Sequence, residues 1–96
     1  MPDDAVISPI HHDLAGRRFV VVSDGQEARL DYEREGDTLA ITHTFVPAAI
    51  GGRGVAGCLV RAALAFARAQ GLRVRPACAY ADAWMRRHPD YDDLRA

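Results

Sequence analysis

Two side chains that commonly serve as a base and a nucleophile in enzymes, His43 and Cys78, are expected near each other from their places in the sequence. His43 lies in a segment with β-strand alternation, and Cys78 follows a short segment that would form the neighbouring parallel strand. A thiol becomes a strong nucleophile when a base such as an imidazole removes its proton. The pair is therefore a candidate catalytic dyad, with a buried structural cysteine and a hydrogen-bonded core histidine as open alternatives.

A glycine-rich segment, Gly51-Gly52-Arg53-Gly54, precedes the most strongly helical part of the chain. Such a turn leaves backbone N–H groups free to approach an anion, and the helix dipole adds about half a positive charge there. A phosphate or pyrophosphate is the expected ligand. The segment is neither a Walker loop, since the chain has no lysine, nor a Rossmann loop, since the order of glycines differs. A strand-to-helix turn without a ligand is the structural alternative.

The segments before this loop predict antiparallel strands. Residues 18–23 carry a β-branched run, Asp24-Gly25 supplies the positive backbone angles of a tight hairpin, and residues 27–34 alternate between apolar and charged side chains. Residues 38–46 predict a third strand, and residues 6–10 would extend the meander by a fourth. The third strand is expected to place four side chains on one face: Leu39, Ile41, His43 and Phe45.

The segments after the loop predict a helix at residues 52–70, a strand at residues 72–75 and a shorter helix at residues 79–87. The order is therefore ββββαβα. Since a strand, helix and strand in succession form a crossover, the last strand should pair in parallel with residues 38–46. The glycine-rich loop then opens at the carboxyl end of that strand, where ligands of α/β sheets collect. Trp84 and Met85 should close the core, and Cys58 is expected to be packed inside it.

Length, charge and composition exclude several classes of protein. The chain has 96 residues, which predicts one domain over residues 1–96, and its formal net charge is -1. This balance disfavours binding to nucleic acid or anionic lipid. No apolar run has the length of a membrane span and the first residues lack a signal-peptide pattern, so a cytoplasmic location is expected. The 2 cysteines and 4 histidines match no zinc spacing, and His11-His12 is expected in a solvated loop.

Four short blocks in the same order and spacing resemble the small YjdJ-type branch of the GNAT N-acetyltransferase superfamily. The resemblance covers residues 18–94. The blocks are His43-Thr44-Phe45-Val46-Pro47, Gly52-Arg53-Gly54-Val55-Ala56, Pro76-Ala77-Cys78-Ala79-Tyr80 and Arg87-His88-Pro89-Asp90-Tyr91. It implies an α/β fold of the compact GNAT type: an antiparallel meander, a β-α-β crossover and a short C-terminal helix that together bind acetyl-CoA.

The resemblance also implies which residues would bind the cofactor. The pyrophosphate signature of the superfamily, Arg/Gln-x-x-Gly-x-Gly/Ala, falls on Gly51 to Ala56, with Gly51 in place of the usual Arg or Gln. Arg53 is expected to supply charge to the phosphates instead, together with backbone N–H groups from Gly52 to Ala56, including Val55. The end of the third strand, at Phe45, Val46 and Pro47, would bind the pantetheine amides and polarise the thioester carbonyl.

By the same resemblance, the protein is expected to transfer the acetyl group of acetyl-CoA to an amine, with Tyr80 returning a proton to the departing CoA. The amine could attack directly, or the acetyl group could first pass to Cys78 with His43 as base. The acceptor could be a small molecule or a protein, and the protein a monomer or a homodimer. The alternative from another class is a CoA-binding or protein-interaction module without transfer activity.

Overall fold

The computed structural model describes residues 9–96. In this part of the chain, five strands form one sheet and pair with their neighbours in the order in which they follow along the chain. Neighbouring strands are antiparallel except for the last pair, which is parallel. This arrangement confirms the predicted meander and crossover. The strands are β1 (His11–Asp13), β2 (Arg18–Ser23), β3 (Gln26–Glu35), β4 (Thr38–Phe45) and β5 (Arg73–Pro76).

The hairpin between β2 and β3 turns at the two residues that the sequence singled out. Asp24 has φ 50° and Gly25 has φ 73°, which are the left-handed angles that a tight two-residue turn needs. The two strands then pair from Ser23 opposite Gln26 to Arg18 opposite Asp31. The alternation predicted for β3 is confirmed, since Ala28 and Leu30 are fully buried.

Helix α1 (Val55–Gln70) crosses from β4 to β5 and packs on one face of the sheet. It begins at Val55 and not near residue 52, because Gly52 and Gly54 hold positive φ angles that interrupt a helix. Cys58 is exposed, so its predicted core position is wrong. The reason is that the buried stripe runs along other positions of the helix: Val55, Leu59, Val60, Ala63, Leu64 and Ala67.

Helix α2 (Ala79–Arg86) follows β5 and lies against the N-terminal half of α1. Trp84 and Met85 are buried, which confirms their predicted core role. A 3-10 segment, Pro89–Leu94, then returns to α1, and Ala96 N donates to Val74 O over 2.8 Å. Neither described helix is long and apolar enough to cross a membrane.

An extra residue in β4 inverts the alternation of its side chains. Tyr32 of β3 pairs with Ile41, but the preceding residue, Asp31, pairs with His43, so Thr42 has no opposite partner. This is a β-bulge. Thr42 Oγ1 donates to Asp31 O at this point over 3.2 Å. As a result, Leu39 and Ile41 face the core but His43 does not, and the predicted common face is wrong beyond Ile41.

The His12 side chain lies in an aromatic cluster between β1 and α1. Its ring stacks on Phe19 with centroids 4.0 Å apart and meets Phe66 edge-on at 4.5 Å. His12 Nε2 and Tyr32 Oη are 2.6 Å apart. The predicted solvated loop is therefore wrong, because β1 pairs with β2 and turns this histidine toward the core. The strand predicted at residues 6–10 lies mostly outside the described residues, and residues 9 and 10 are not in a strand.

The His12 cluster should make stability depend on pH. Burial lowers the pKa of His12 from its usual 6.5, His11 lowers it further and Asp13 raises it. The unfolded chain therefore takes up this proton at a higher pH than the folded one, and the free energy of unfolding should fall as the pH drops below about 6.5. Urea unfolding between about pH 5 and about pH 7 would measure the slope.

Two variants isolate this contribution to the pH dependence. His12→Phe fills the stacked position without a titrating ring, so its slope should be shallower than that of the unmodified protein. His11→Gln removes an exposed neighbouring imidazole and should leave most of the slope in place. Equal slopes for His12→Phe and the unmodified protein would show that His12 does not carry the effect.

Candidate functional site

A gap between β4 and β5 forms the floor of the candidate site. The two strands pair from Thr38 opposite Arg73 to Ile41 opposite Pro76. There the chain leaves the sheet, and both Ala77 N and Cys78 N donate to Ile41 O over 3.0 Å. β4 nevertheless continues to Phe45, still paired with β3. The backbone of β4 beyond Ile41 is therefore open on the side that β5 has left.

The glycine-rich loop lies at the end of this gap. A 3-10 turn, Ala48–Ile50, leads into it, and the buried Ile50 side chain anchors that turn. Residues 51–54 are all exposed. Gly52 and Gly54 adopt φ angles of 82° and 77°, which favour glycine over any other residue. Glycine is therefore required at positions 52 and 54 by the backbone conformation of the loop.

The first turn of α1 presents unpaired donors to this loop. Within residues 9–96, no side chain caps the helix at Gly54, and the first turn holds no acidic residue. Cys58 N donates to Gly54 O over 3.1 Å and makes the first hydrogen bond of the helix. The N–H groups of Val55, Ala56 and Gly57 therefore have no carbonyl partner within α1. Three donors and the positive end of the dipole suit an anion such as a phosphate.

Arg53 points to the β2–β3 hairpin. Its Nη1 atom lies 2.5 Å from Asp24 Oδ2 and 3.2 Å from Ser23 Oγ. The sequence predicted that this guanidinium would supply charge to phosphates. In the structure it is paired with a carboxylate instead.

Cys78 is the N-cap residue of α2, and its sulfur lies beside β4. Ala81 N donates to Cys78 Sγ over 3.4 Å. Thr44 Oγ1 lies 3.5 Å from the same sulfur, and either atom can be the donor. The Cys78 side chain is half-buried. Two polar groups therefore converge on a thiol at the edge of the gap.

His43 lies on the other face of the sheet from this thiol. Its neighbour Thr44 pairs with the buried Leu30, whereas His43 pairs with Asp31 and is exposed. Successive residues of a strand point to opposite faces, so Thr44 and not His43 reaches Cys78. Among the described residues no hydrogen bond joins His43 to Cys78. The structure therefore does not bring the predicted pair together.

Tyr80 lies in the first turn of α2, with its hydroxyl against α1. A Cβ atom on Gly57 would lie 3.7 Å from Tyr80 Oη and 3.1 Å from Trp84 Nε1, so this glycine allows the two helices to approach closely. Burial raises the pKa of Tyr80 from its usual 10.0, while Arg87 lowers it and Cys58 raises it. The phenol therefore keeps its proton at neutral pH and is available as a proton donor.

The three residues predicted to bind the cofactor at the end of β4 have different surroundings. Phe45 is 48% exposed and its ring lies 5.3 Å from the guanidinium carbon of Arg29. Val46 packs against the core. Pro47 O accepts a hydrogen bond from Ile50 N over 3.0 Å and so starts the turn into the loop. The backbone of this segment lies between the gap and the loop, whereas the Phe45 ring lies beside Arg29.

Sequence reasoning missed two contacts at the site. Thr44 beside Cys78 could not be found from alternation, because the bulge at Thr42 shifts the faces. Asp24 was recognised only as a turn residue, although its carboxylate also binds Arg53. The sequence did contain one signal for this contact, because the negative charge of Asp24 is opposite to that of Arg53, which has the one charged side chain in the glycine-rich loop.

Comparisons with known proteins give a consistent family. A family model described as GCN5-related N-acetyltransferase matches residues 18–94. Protein NATD1 of Bos taurus is 34% identical over 91 residues, covering 92% of this chain and 80% of that protein. Protein NATD1 of Homo sapiens is 35% identical over 83 residues, covering 83% and 74%. The solution structure of a GCN5-like protein from Staphylococcus aureus is similar with a TM-score of 0.73 at 24% identity, over 91% of this chain and 86% of that one.

Proposed function

Since the chain belongs to the GCN5-related N-acetyltransferase family, we propose that it binds acetyl-CoA and transfers the acetyl group to an amine. The observation that carries the proposal is the uncapped first turn of α1 beside the gap between β4 and β5. Acetyl-CoA is a long ligand with phosphates in one part and amides in another. The helix end suits the phosphates, and the open strand edge suits the amides.

The residues present fit acetyl-CoA. The N–H groups of Val55, Ala56 and Gly57 would hold the pyrophosphate, because they are oriented donors at the positive end of α1. The open backbone of β4 near Phe45 and Val46 would pair with the pantetheine amides as a strand pairs with its neighbour. Gly51 replaces the usual arginine or glutamine of the family signature, so backbone donors carry more of the binding.

The chemistry proposed for the site uses α2 and β4. Acetyl-CoA supplies the reactive thioester. Backbone donors at the end of β4 would stabilise negative charge that develops on the acetyl oxygen. Tyr80 would donate its proton to the departing sulfur, since the phenol is protonated at neutral pH. Cys78 would lie beside the acetyl group, held by Thr44 and Ala81.

The separation between His43 and Cys78 favours one of the two routes for the proposed reaction. A thiol that accepts the acetyl group needs a base within hydrogen-bond reach, and His43 lies on the opposite face of the sheet. Direct attack by a deprotonated amine needs no such pair, because the C–N bond forms as the C–S bond breaks and water can take up the proton that the nitrogen loses. We therefore propose direct transfer as the main route.

Calorimetric titration with acetyl-CoA tests the cofactor first. Micromolar binding is expected. ATP should bind more weakly because it has no pantetheine to pair with β4, whereas dephospho-CoA keeps both the pyrophosphate and the pantetheine and should bind nearly as well. At about 100 times the dissociation constant, acetyl-CoA should raise the free energy of unfolding by about 2.7 kcal/mol, which a thermal melt can confirm.

Three results of this titration lead to different conclusions. Selective binding followed by release of CoA in the presence of amines would support the transferase. Selective binding without CoA release across a broad panel of small and peptide amines would favour a CoA-binding module. Absence of binding up to millimolar acetyl-CoA would mean that Gly51 has disabled the loop, and the cofactor proposal would fail.

A further inference from the structure

We propose that Arg53 is a positioning residue that clamps the anion-binding loop to the β2–β3 hairpin and is not a ligand of the phosphates. This inference rests on the function proposed above. It differs from the expectation drawn from the sequence, in which the guanidinium met the phosphates directly.

The contacts of Arg53 define the clamp. One terminal nitrogen, Nη1, reaches both Asp24 Oδ2 at 2.5 Å and Ser23 Oγ at 3.2 Å. Ser23 is fully buried, whereas the side chains of Arg53 and Asp24 are 34% and 52% exposed. A half-exposed ion pair is therefore hydrogen-bonded to a buried hydroxyl at the end of β2. The two sides of the clamp are 29 residues apart in the chain.

The loop needs such a contact because little else holds it. Within residues 51–54, Arg53 is the one residue that is not glycine. Cβ atoms built on Gly52 and Gly54 would meet no atom within 4 Å, so the loop packs against nothing at these positions. Glycine also loses more backbone entropy than any other residue when it is ordered. A contact that orders the free loop lowers the cost of binding an anion there.

The charge arrangement also argues against direct phosphate binding. In its present place the guanidinium is neutralised by Asp24. If Arg53 moved to the phosphates, the Asp24 carboxylate would be left unpaired beside the anion site and would repel the same ligand. Keeping the ion pair intact removes that repulsion. The clamp thus lets backbone N–H groups of α1 bind the anion while Asp24 stays neutralised.

Asp24→Asn distinguishes a clamp from a phosphate ligand. A clamp predicts that the variant binds acetyl-CoA about two- to fivefold more weakly, a range that matches a surface ion pair. It also predicts faster amide hydrogen exchange at residues 51–55 in the free protein. A phosphate ligand predicts equal or tighter binding, because the variant releases Arg53 and removes a repelling carboxylate. Asp37→Asn is the matched control, since Asp37 lies in the β3–β4 turn.

A second variant closes the test. Arg53→Gln should weaken binding to a similar extent, and the double variant with Asp24→Asn should bind no more weakly than Arg53→Gln alone. Unchanged loop exchange in Asp24→Asn, or additive losses in the double variant, would overturn the clamp. Because hydrogen exchange is measured without cofactor, this result stands apart from the cofactor proposal. Failure of the unmodified protein to bind acetyl-CoA would overturn the proposed function instead.

Discussion

Cys78→Ala is expected to lower the rate of acetyl transfer about 10²-fold while acetyl-CoA affinity stays within about threefold, because the thiol would hold the thioester in the position that the attacking amine needs. The thiol lies at the edge of the β4–β5 gap, where Thr44 Oγ1 and Ala81 N approach its sulfur at 3.5 Å and 3.4 Å. The anion-binding donors belong to α1 and do not touch this residue. Removing the sulfur should therefore affect the reacting end of the site and leave cofactor binding in place. Steady-state CoA release and calorimetry would measure the two quantities separately.

Two further variants separate a chemical role of Cys78 from a structural one. Serine is a favourable N-cap residue, so Cys78→Ser should keep the start of α2 and its thermal stability while it removes the thiol. Cys58→Ala removes the exposed thiol on α1 and should leave transfer unchanged. Full activity in both Cys78 variants would remove the thiol from the mechanism. An adduct of one acetyl group on the unmodified protein, absent from Cys78→Ser, would overturn direct transfer.

Gly54→Val is expected to weaken acetyl-CoA binding at least about tenfold. The residue holds φ 77° immediately before α1, a conformation that costs an L-residue about 1–2 kcal/mol and a β-branched one more. Space is not the cause, since a Cβ atom there would meet nothing within 4 Å. The variant should relieve its backbone strain by shifting the start of α1. The N–H groups of Val55 and Ala56 would then no longer converge on the anion.

Gly36→Val is the matched control for this backbone strain. Gly36 holds φ 62° in the turn between β3 and β4, and a Cβ atom there also meets nothing within 4 Å. Both variants should lose a similar amount of thermal stability, because the strain is similar. Only Gly54→Val should lose affinity by calorimetry. Equal affinities in the two variants would show that the loop geometry does not determine cofactor binding.

The local sequence predicted most of the fold because its signals depend on neighbouring residues alone. The left-handed angles of Asp24 and Gly25 determine a hairpin without reference to the rest of the chain. The alternation within β3 and the helical period of α1 follow in the same way from side chains two to four residues apart. The parallel pairing of β5 with β4 follows from the succession of strand, helix and strand. The glycine-rich loop was also identified correctly as the start of α1, although the helix begins at Val55.

The sequence by itself thus determined strands β2 to β5, the crossover and the place of the glycine-rich loop, whereas the tertiary structure decided where β1 lies and which side chains meet at the site. The alternation of side chains is read along one strand, whereas the bulge at Thr42 depends on how β4 pairs with β3. Because of this bulge, Thr44 and not His43 contacts Cys78. Arg53 and Asp24 are 29 residues apart, and His12 and Tyr32 are 20 apart. Contacts at such separations form only when the strands have paired, so no local pattern encodes them.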